Sequence, residues 1–168
     1  MNDLGNISEI IAGMASQLGE QLDRAGIIHP AMVGIHTGGV WIAKQLHRQL
    51  NIEEPLGSLD ISFYRDDFTR IGMNPVVQPS QLPFSIDERH IILVDDVLHT
   101  GRTIRAALNE LFDYGRPASI MLATLIERGG RELPIQANVV GRHVKLSPGE
   151  HIKLSGPDPL ALEIQKTA

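Results

Sequence analysis

Thirteen residues in the middle of the chain constrain its fold more than any others. Ile91-Ile92-Leu93-Val94 is a wholly apolar run of the kind that is buried on both faces in a parallel sheet. It leads into two adjacent carboxylates, Asp95 and Asp96, then Val97-Leu98-His99 and the turn Thr100-Gly101-Arg102-Thr103. A helical pattern follows from about Ile104 to Tyr114, with Gly115 and Pro117 as stop signals. A helix N-terminus presents unpaired backbone N–H groups and the positive end of the helix dipole, which suits a phosphate. Gly101 lets the backbone approach that phosphate closely, and Thr100 and Thr103 add hydroxyl donors. Asp95 and Asp96 lie a few residues upstream, within reach of a sugar carrying the phosphate, and carboxylates accept from a vicinal diol. An acid pair before a helix is by itself an ordinary strand end. The string from Ile91 to Thr103 gives every element a role toward a ligand.

The rest of the chain alternates strands and helices. Ile10, Ile11, Met14, Leu18 and Leu22 recur at helical spacing, Asn6 and Glu9 have the spacing of a capping box, and Gly26 is a stop. Ala31 to Ile35 reads as a buried strand ending in His36-Thr37-Gly38-Gly39, before a helical pattern from Val40 to Leu50. Leu59, Ile61 and Phe63 alternate with polar residues, the period of a half-buried strand running from Leu56 to Tyr64. Ser119 to Leu125 is a further apolar strand, and the later strands, Val139-Val140 and His151 to Leu154, look short. This order predicts an α/β fold with a mostly parallel sheet and helices on both faces. Ligands then bind off the carboxyl ends of the strands, here at Ile35, Tyr64 and Val94. Between Arg65 and Ile86 the pattern disappears and Gly72, Pro75, Pro79 and Pro83 intervene, as in a functional lid or a disordered segment.

Composition narrows the class. The chain has 168 residues, enough for one domain with a real core, and a formal net charge of −5. It has no cysteine, which excludes disulfides, thiolate nucleophiles and zinc ribbons. No secretory leader is read at the N-terminus, and no run approaches the roughly 20 apolar residues of a membrane helix, so the expected location is cytoplasmic. Residues 1–100 carry 6 basic and 13 acidic groups, whereas 101–168 carry 9 and 7. General polyanion binding is thereby disfavoured, and any nucleic-acid surface belongs to the C-terminal part.

The segment IILVDDVLHTGRT, Ile91 to Thr103, resembles the phosphoribosyl-pyrophosphate (PRPP) motif of the type I phosphoribosyltransferases. Five further segments narrow the resemblance to the PyrR group, pyrimidine-operon regulators that are also uracil phosphoribosyltransferases. They are Val33 to Leu46, Leu59 to Asp67, Gly101 to Leu108, Tyr114 to Ile120 and Arg128 to Ala137. The resemblance implies a single phosphoribosyltransferase domain over residues 1–168, with a flexible loop at about 65–86 and a small C-terminal hood at about 128–155. It implies that Asp95 and Asp96 hold the ribose hydroxyls, and that the backbone from Val97 through Leu98, His99, Thr100, Gly101 and Arg102 to Thr103 cradles the 5′-phosphate. Ile92, Leu93 and Val94 complete the motif.

Thr37, Gly38 and Gly39 match the pyrophosphate loop, where family members can carry a cis peptide. The family pattern places an arginine after the threonine, and this chain has Gly38. Mg²⁺, held mainly by PRPP, is the implied cofactor, and Arg65 or Arg70 of the flexible loop is a candidate diphosphate contact. Asp66-Asp67 reads as solvating the loop rather than touching the metal, and Trp41 as core rather than a base-stacking platform. Implied partners are PRPP, uracil, UMP and UTP, the leader mRNA of a pyrimidine operon, and further copies of the chain in a homodimer or dimer of dimers. The RNA grip of attenuating PyrR proteins uses an N-terminal helix that here has no Arg, Lys or His between Ser8 and Leu22. It also uses an Arg-Gly-His-Arg-Glu segment that here is Arg128-Gly129-Gly130-Arg131-Glu132. Arg105, Arg116, Arg131, Arg142 and Lys145 remain as candidate RNA contacts. Two alternatives stay open: a nucleotide-sensing regulator with little turnover, to which Gly38 points, and a type I transferase acting on another base.

Overall fold

A computed structural model describes residues 4–61 and 80–167. Helix α1 spans Ile7–Ala25, where Asn6 Oδ1 accepts a hydrogen bond from the Glu9 amide at 3.2 Å and Gly26 closes the far end at φ 69°. That side-chain cap stabilises such a helix by about 1 kcal/mol. Ile11, Met14, Ala15, Leu18 and Leu22 form its buried stripe. Strand β1 (Ala31–Ile35) follows, then helix α2 (Gly38–Gln49), strand β2 (Gly57–Leu59), strand β3 (His90–Leu98), helix α3 (Arg102–Tyr114), strand β4 (Ser119–Arg128) and strand β5 (Val139–Val144).

The five strands form one parallel sheet in the order β2-β1-β3-β4-β5. Ile92 and Val94 of β3 face the apolar cluster built with α1 and α2, whereas Ile91 and Leu93 face the cluster built with α3. β3 is therefore covered on both sides, as its uninterrupted apolar run requires. Strand β6 (Glu150–Ser155) and strand β7 (Ala161–Lys166) pair antiparallel as a separate hairpin. Trp41 packs against it with the edge of the main core, consistent with its reading as a packing residue.

Several boundaries differ from the sequence expectation, each for an identifiable reason. β3 does not stop at Val94: Asp95 pairs with Thr124, Val97 with Ile126 and Leu98 with Glu127, so the acid pair lies inside a strand. β4 accordingly runs on to Arg128. Helices α2 and α3 each start two residues early, because Gly38 and Arg102 already adopt helical geometry. The segment expected to form a hood over 128–155 is divided: Val139–Val144 belongs to the main sheet, and the hairpin extends to Lys166. Strand β7 escapes notice in the sequence because Pro157 and Pro159 precede it.

Tyr64, Arg65, Asp66, Asp67 and Arg70 lie outside the described residues. The tail of the unpatterned segment is held firmly, with Gln81 bridging to Ser58 on the free edge of β2 through two hydrogen bonds of 2.8 Å. Ile86 is buried in the α3 cluster.

Candidate functional site

Because every sheet strand is parallel, all five carboxyl ends open on one edge of the molecule, where such folds bind ligands. Three segments meet there: the β1–α2 turn, the carboxyl half of β3 with the turn into α3, and the segment following β4.

The β1–α2 turn runs from His36 to Gly39. The His36–Thr37 peptide is cis, as the resemblance led us to expect. The His36 amide donates to the Leu59 carbonyl at 2.8 Å, tying the turn to β2. Thr37 is exposed and its hydroxyl makes no capping bond to α2. Gly38 and Gly39 lie directly on the acid pair. A β-carbon on Gly38 would stand 2.8 Å from Asp96 Cγ, and one on Gly39 would stand 2.6 Å from the Val94 carbonyl oxygen and 3.0 Å from Asp95 Cα. A side chain at position 38 would therefore have to displace the Asp96 carboxylate.

The two carboxylates are not equivalent. Asp95 is 1% exposed, and its Oδ1 accepts from the Asp96 amide at 2.9 Å. Asp96 is half-buried, and its Oδ1 accepts from the Val97 amide at 2.9 Å. Its Oδ2 faces Gly38. Adjacent backbone amides thus orient both acids, and Asp96 stands nearer to solvent.

The rest of the motif divides between core and turn. Ile92, Leu93, Val94 and Leu98 bury their side chains in the two clusters, so none of these side chains faces a ligand. The Val97 amide is already taken by Asp96, which moves the start of the available cradle from Val97 to the turn itself. Thr100 Oγ1 accepts from the Arg102 amide at 3.2 Å, and Gly101 adopts φ 94°. The amides of Thr103 and Ile104 fall in the first turn of α3, where no intrahelical acceptor exists. Arg102 points to the rim, its Nε 3.2 Å from Glu132 Oε1.

The segment after β4 is stitched to that turn. The Thr100 carbonyl accepts from the Glu132 amide at 2.9 Å and the Leu133 amide at 3.2 Å. The Arg131 guanidinium donates to the His99 carbonyl and to Glu127, and His143 Nδ1 lies 3.0 Å from Glu127 Oε2. The His99 pKa is pushed below its ordinary value, first by burial, then by the Arg128 charge, with Arg131 acting alike and Glu132 opposing. Arg128 Nε is buried and finds no hydrogen-bond partner among the described residues. In the sequence Arg128 stands only at the start of the hood and of the Arg-Gly-Gly-Arg-Glu segment, and Glu127 has no assigned role. Their signal was their position at the end of a buried apolar strand, on the same edge as the acid pair.

The candidate RNA contacts are not brought together. Arg131 is committed to Glu127 and His99, and Arg142 lies against Gly5 beside α1. Arg116 follows α3 near the amino end of β4, at the opposite edge from the acid pair, while Arg105 and Lys145 are exposed. Among the described residues no group of three or more acidic or histidine side chains could hold a metal ion, and no helix is long and apolar enough to cross a membrane.

The phosphoribosyl transferase domain family matches residues 1–152. A "Bifunctional protein PyrR" of Nitrosococcus oceani is 62% identical over 162 residues, covering 95% of this chain and 92% of that relative. Another of the same name, from Pseudomonas aeruginosa, is 59% identical over 160 residues, covering 95% and 94%. Among solved structures, a hypoxanthine phosphoribosyl transferase of Trypanosoma cruzi superposes with a TM-score of 0.66 at 22% identity, covering 84% of this chain and 75% of that one. A hypoxanthine phosphoribosyltransferase of Staphylococcus aureus gives 0.64 at 23% identity, covering 82% and 74%. At these identities the two structures speak for the fold.

Proposed function

The chain belongs to the PyrR family of the type I phosphoribosyltransferases, and from that premise we propose that it converts uracil and PRPP to UMP and diphosphate and regulates pyrimidine gene expression in response to uridine nucleotides. One observation carries the transferase reading. The acid pair of β3 lies against the Thr37-Gly38-Gly39 turn on one side and leads to the open amides of α3 on the other. A sugar bearing a phosphate and a diphosphate needs that combination of acceptors between two sets of donors.

In this reading the 5′-phosphate sits on the Thr100–Thr103 turn, where Gly101 removes the obstruction and the helix dipole favours the anion. Asp96, with Asp95 beneath it, accepts from the ribose hydroxyls. The diphosphate lies along Thr37, Gly38 and Gly39. As the C1′–O bond breaks and uracil N1 bonds to C1′, releasing its proton to solvent, positive charge develops on the ribose ring, which the neighbouring carboxylates stabilise, and negative charge on the departing diphosphate, which the donors of the β1–α2 turn receive. Little is asked of a general base, since the work is positioning and charge stabilisation. The family's Mg²⁺ fits this site as an ion carried by the substrate, because the chain offers two carboxylates already oriented by amides rather than a cage of its own. Carried in with the substrate beside Asp95 and Asp96, it would lower the charge on the leaving group.

The domain reading is one phosphoribosyltransferase unit, in which the β6–β7 hairpin supplies the covering element. Arg65 and Arg70 are kept as candidate diphosphate contacts. For regulation, we take the nucleic-acid partner to be the leader mRNA of a pyrimidine operon and the assembly to be a homodimer or dimer of dimers. Gly38 favours one second reading, a uridine-nucleotide sensor with reduced turnover, because the turn lacks the cation that its pattern leads one to expect. Following UMP formation from uracil, PRPP and Mg²⁺ tests the proposal. Steady turnover with uracil supports it, tight UMP binding without turnover favours the sensor, and turnover only with another base overturns the assignment.

A further inference from the structure

We infer that Thr124, in the middle of β4, is a positioning residue for Asp95: its hydroxyl donates to that carboxylate when a ribose phosphate is held, and so steadies the acid pair from inside the core. The inference rests on the reading that the ribose lies at Asp95 and Asp96, and it adds what supports that pair.

Burial is the first argument. Thr124 is 0% exposed, and among the described residues only Asp60 and Asp95 are likewise both polar and buried. Its Oγ1 finds no hydrogen-bond partner among the described residues. A hydroxyl left unpaired away from water is costly, whereas a valine of nearly the same shape carries no such penalty. The strand gains nothing from the hydroxyl, since valine fits the pleat equally well. An acceptor that arrives in another state of the protein recovers the cost.

The register supplies that acceptor. Thr124 pairs with Asp95 of β3 on one side and with Val140 of β5, which has no polar side-chain atom, on the other. Neighbouring strands lie roughly 4.8 Å apart. Leu93 and Leu122, two residues earlier on the two strands, both face the cluster built with α3. Side chains alternate along a strand, so Asp95 and Thr124 turn to that same side. The residues that α3 buries in this cluster, Ile104, Ala106, Ala107 and Leu111, are all apolar. Asp95 is therefore the polar side chain beside the hydroxyl. A carboxylate has about four lone-pair sites, so it can take the hydroxyl and still keep the Asp96 amide on Oδ1.

The contacts then run in series from core to ligand. The Asp95 carboxylate holds the Asp96 amide at 2.9 Å, and the Asp96 carboxylate holds the Val97 amide at 2.9 Å. A further donor on Asp95 fixes its rotamer and, through it, the peptide that carries Asp96. That bond is charge-assisted, and it keeps the pair aimed as the ribose becomes cationic. Thr124 itself touches neither substrate nor reacting atoms.

The test compares Thr124→Val and Thr124→Ser with the wild-type chain. It uses urea denaturation, steady-state kinetics with uracil and PRPP varied separately, and calorimetry with ribose 5-phosphate. Thr124→Val is expected to keep a urea midpoint no lower than the wild type. It should nonetheless lose about tenfold or more in kcat/KM for PRPP and in ribose 5-phosphate affinity, the usual measure of a hydrogen bond to a charged group. The KM for uracil at saturating PRPP should stay within about twofold, since the base is not held by this pair. Thr124→Ser keeps the hydroxyl and should restore both losses to within about threefold, although it removes a methyl group from the core. In an Asp95→Ala background the valine should cost no more than about twofold, because the group it acts through is gone. A lower urea midpoint in Thr124→Val would mean that the hydroxyl is already partnered without ligand, and overturns the inference. Unchanged binding and turnover, a loss that serine does not restore, or a full loss in the Asp95→Ala background overturn it as well. Should the wild type turn over no base, the ribose 5-phosphate titrations of the same variants decide the role of Thr124. A wild type that binds no ribose 5-phosphate fails the docking reading itself, and this inference with it.

Discussion

The Asp96 carboxylate fills the space that a side chain on residue 38 would need, with its Cγ 2.8 Å from where the β-carbon would stand. A substitution there must move either the acid or the turn. Gly38→Ala is expected to destabilise the fold by about 1–3 kcal/mol, as overpacking does, and to weaken PRPP binding. Gly129→Ala, where nothing lies within 4 Å of the added carbon, is expected to change neither. Urea midpoints and PRPP titrations of the two variants check the contrast. Restoring the family arginine by Gly38→Arg should likewise fail to raise turnover, because it meets the same carboxylate.

The acid pair gives the second expectation. Charge-assisted hydrogen bonds contribute about 1.5–3 kcal/mol each, so Asp95→Asn with Asp96→Asn should lower kcat/KM for PRPP by about a hundredfold or more. Of the single variants, Asp96→Asn should carry most of the loss in binding, because Asp95 is 1% exposed and Asp96 stands nearer to solvent. Near-native kinetics in the double variant would remove the ribose from this position.

A third concerns pH and stability. The folded protein holds His99 below its ordinary pKa of 6.5, whereas the unfolded chain takes up the proton at that value. Folding stability from this group therefore falls as the pH drops below 6.5, until the folded imidazole also protonates, and is unaffected above neutrality. Denaturant midpoints at pH 7.5, 6.5 and 5.5 should decline less in His99→Gln than in the wild type. A steeper decline in the variant would reverse the sign and the conclusion.

RNA binding supplies the fourth. Of the five candidate cations, Arg131 is engaged with Glu127 and Arg116 stands at the opposite edge of the sheet, so few phosphates can be met at once. Gel shifts on a pyrimidine-operon leader with UMP, from low to moderate salt, should show a slope of log K against log salt no steeper than about −3 per bound chain, corresponding to about four contacts on single-stranded RNA. A slope near −6 would require a basic surface that these residues do not make.

Much of this was legible in the sequence because it is local. Asn6 capping onto Glu9, the apolar stripe of α1 and the uninterrupted run before Asp95 each depend on residues close in the chain, and the fold preserves them. The carboxyl half of β3 was not legible, since Val97 and Leu98 extend the strand only because Ile126 and Glu127 lie alongside. That Gly38 packs on Asp96 was not legible either, because the two lie 58 positions apart in the chain. Arg128 could be placed in the hood but not on the acid pair's edge, because an arginine after an apolar run carries no sign of the edge it will share. The prolines at 157 and 159 concealed β7, whose partner β6 is what makes it a strand.

The Thr100 carbonyl, which receives the amides of both Glu132 and Leu133, ties the turn before α3 to the segment after β4. Turn and segment are thereby kept at one spacing, like the jaws of a caliper locked by a common screw. On the proposed function, uracil alone or ribose 5-phosphate alone would engage one jaw, whereas an intact nucleotide would span both.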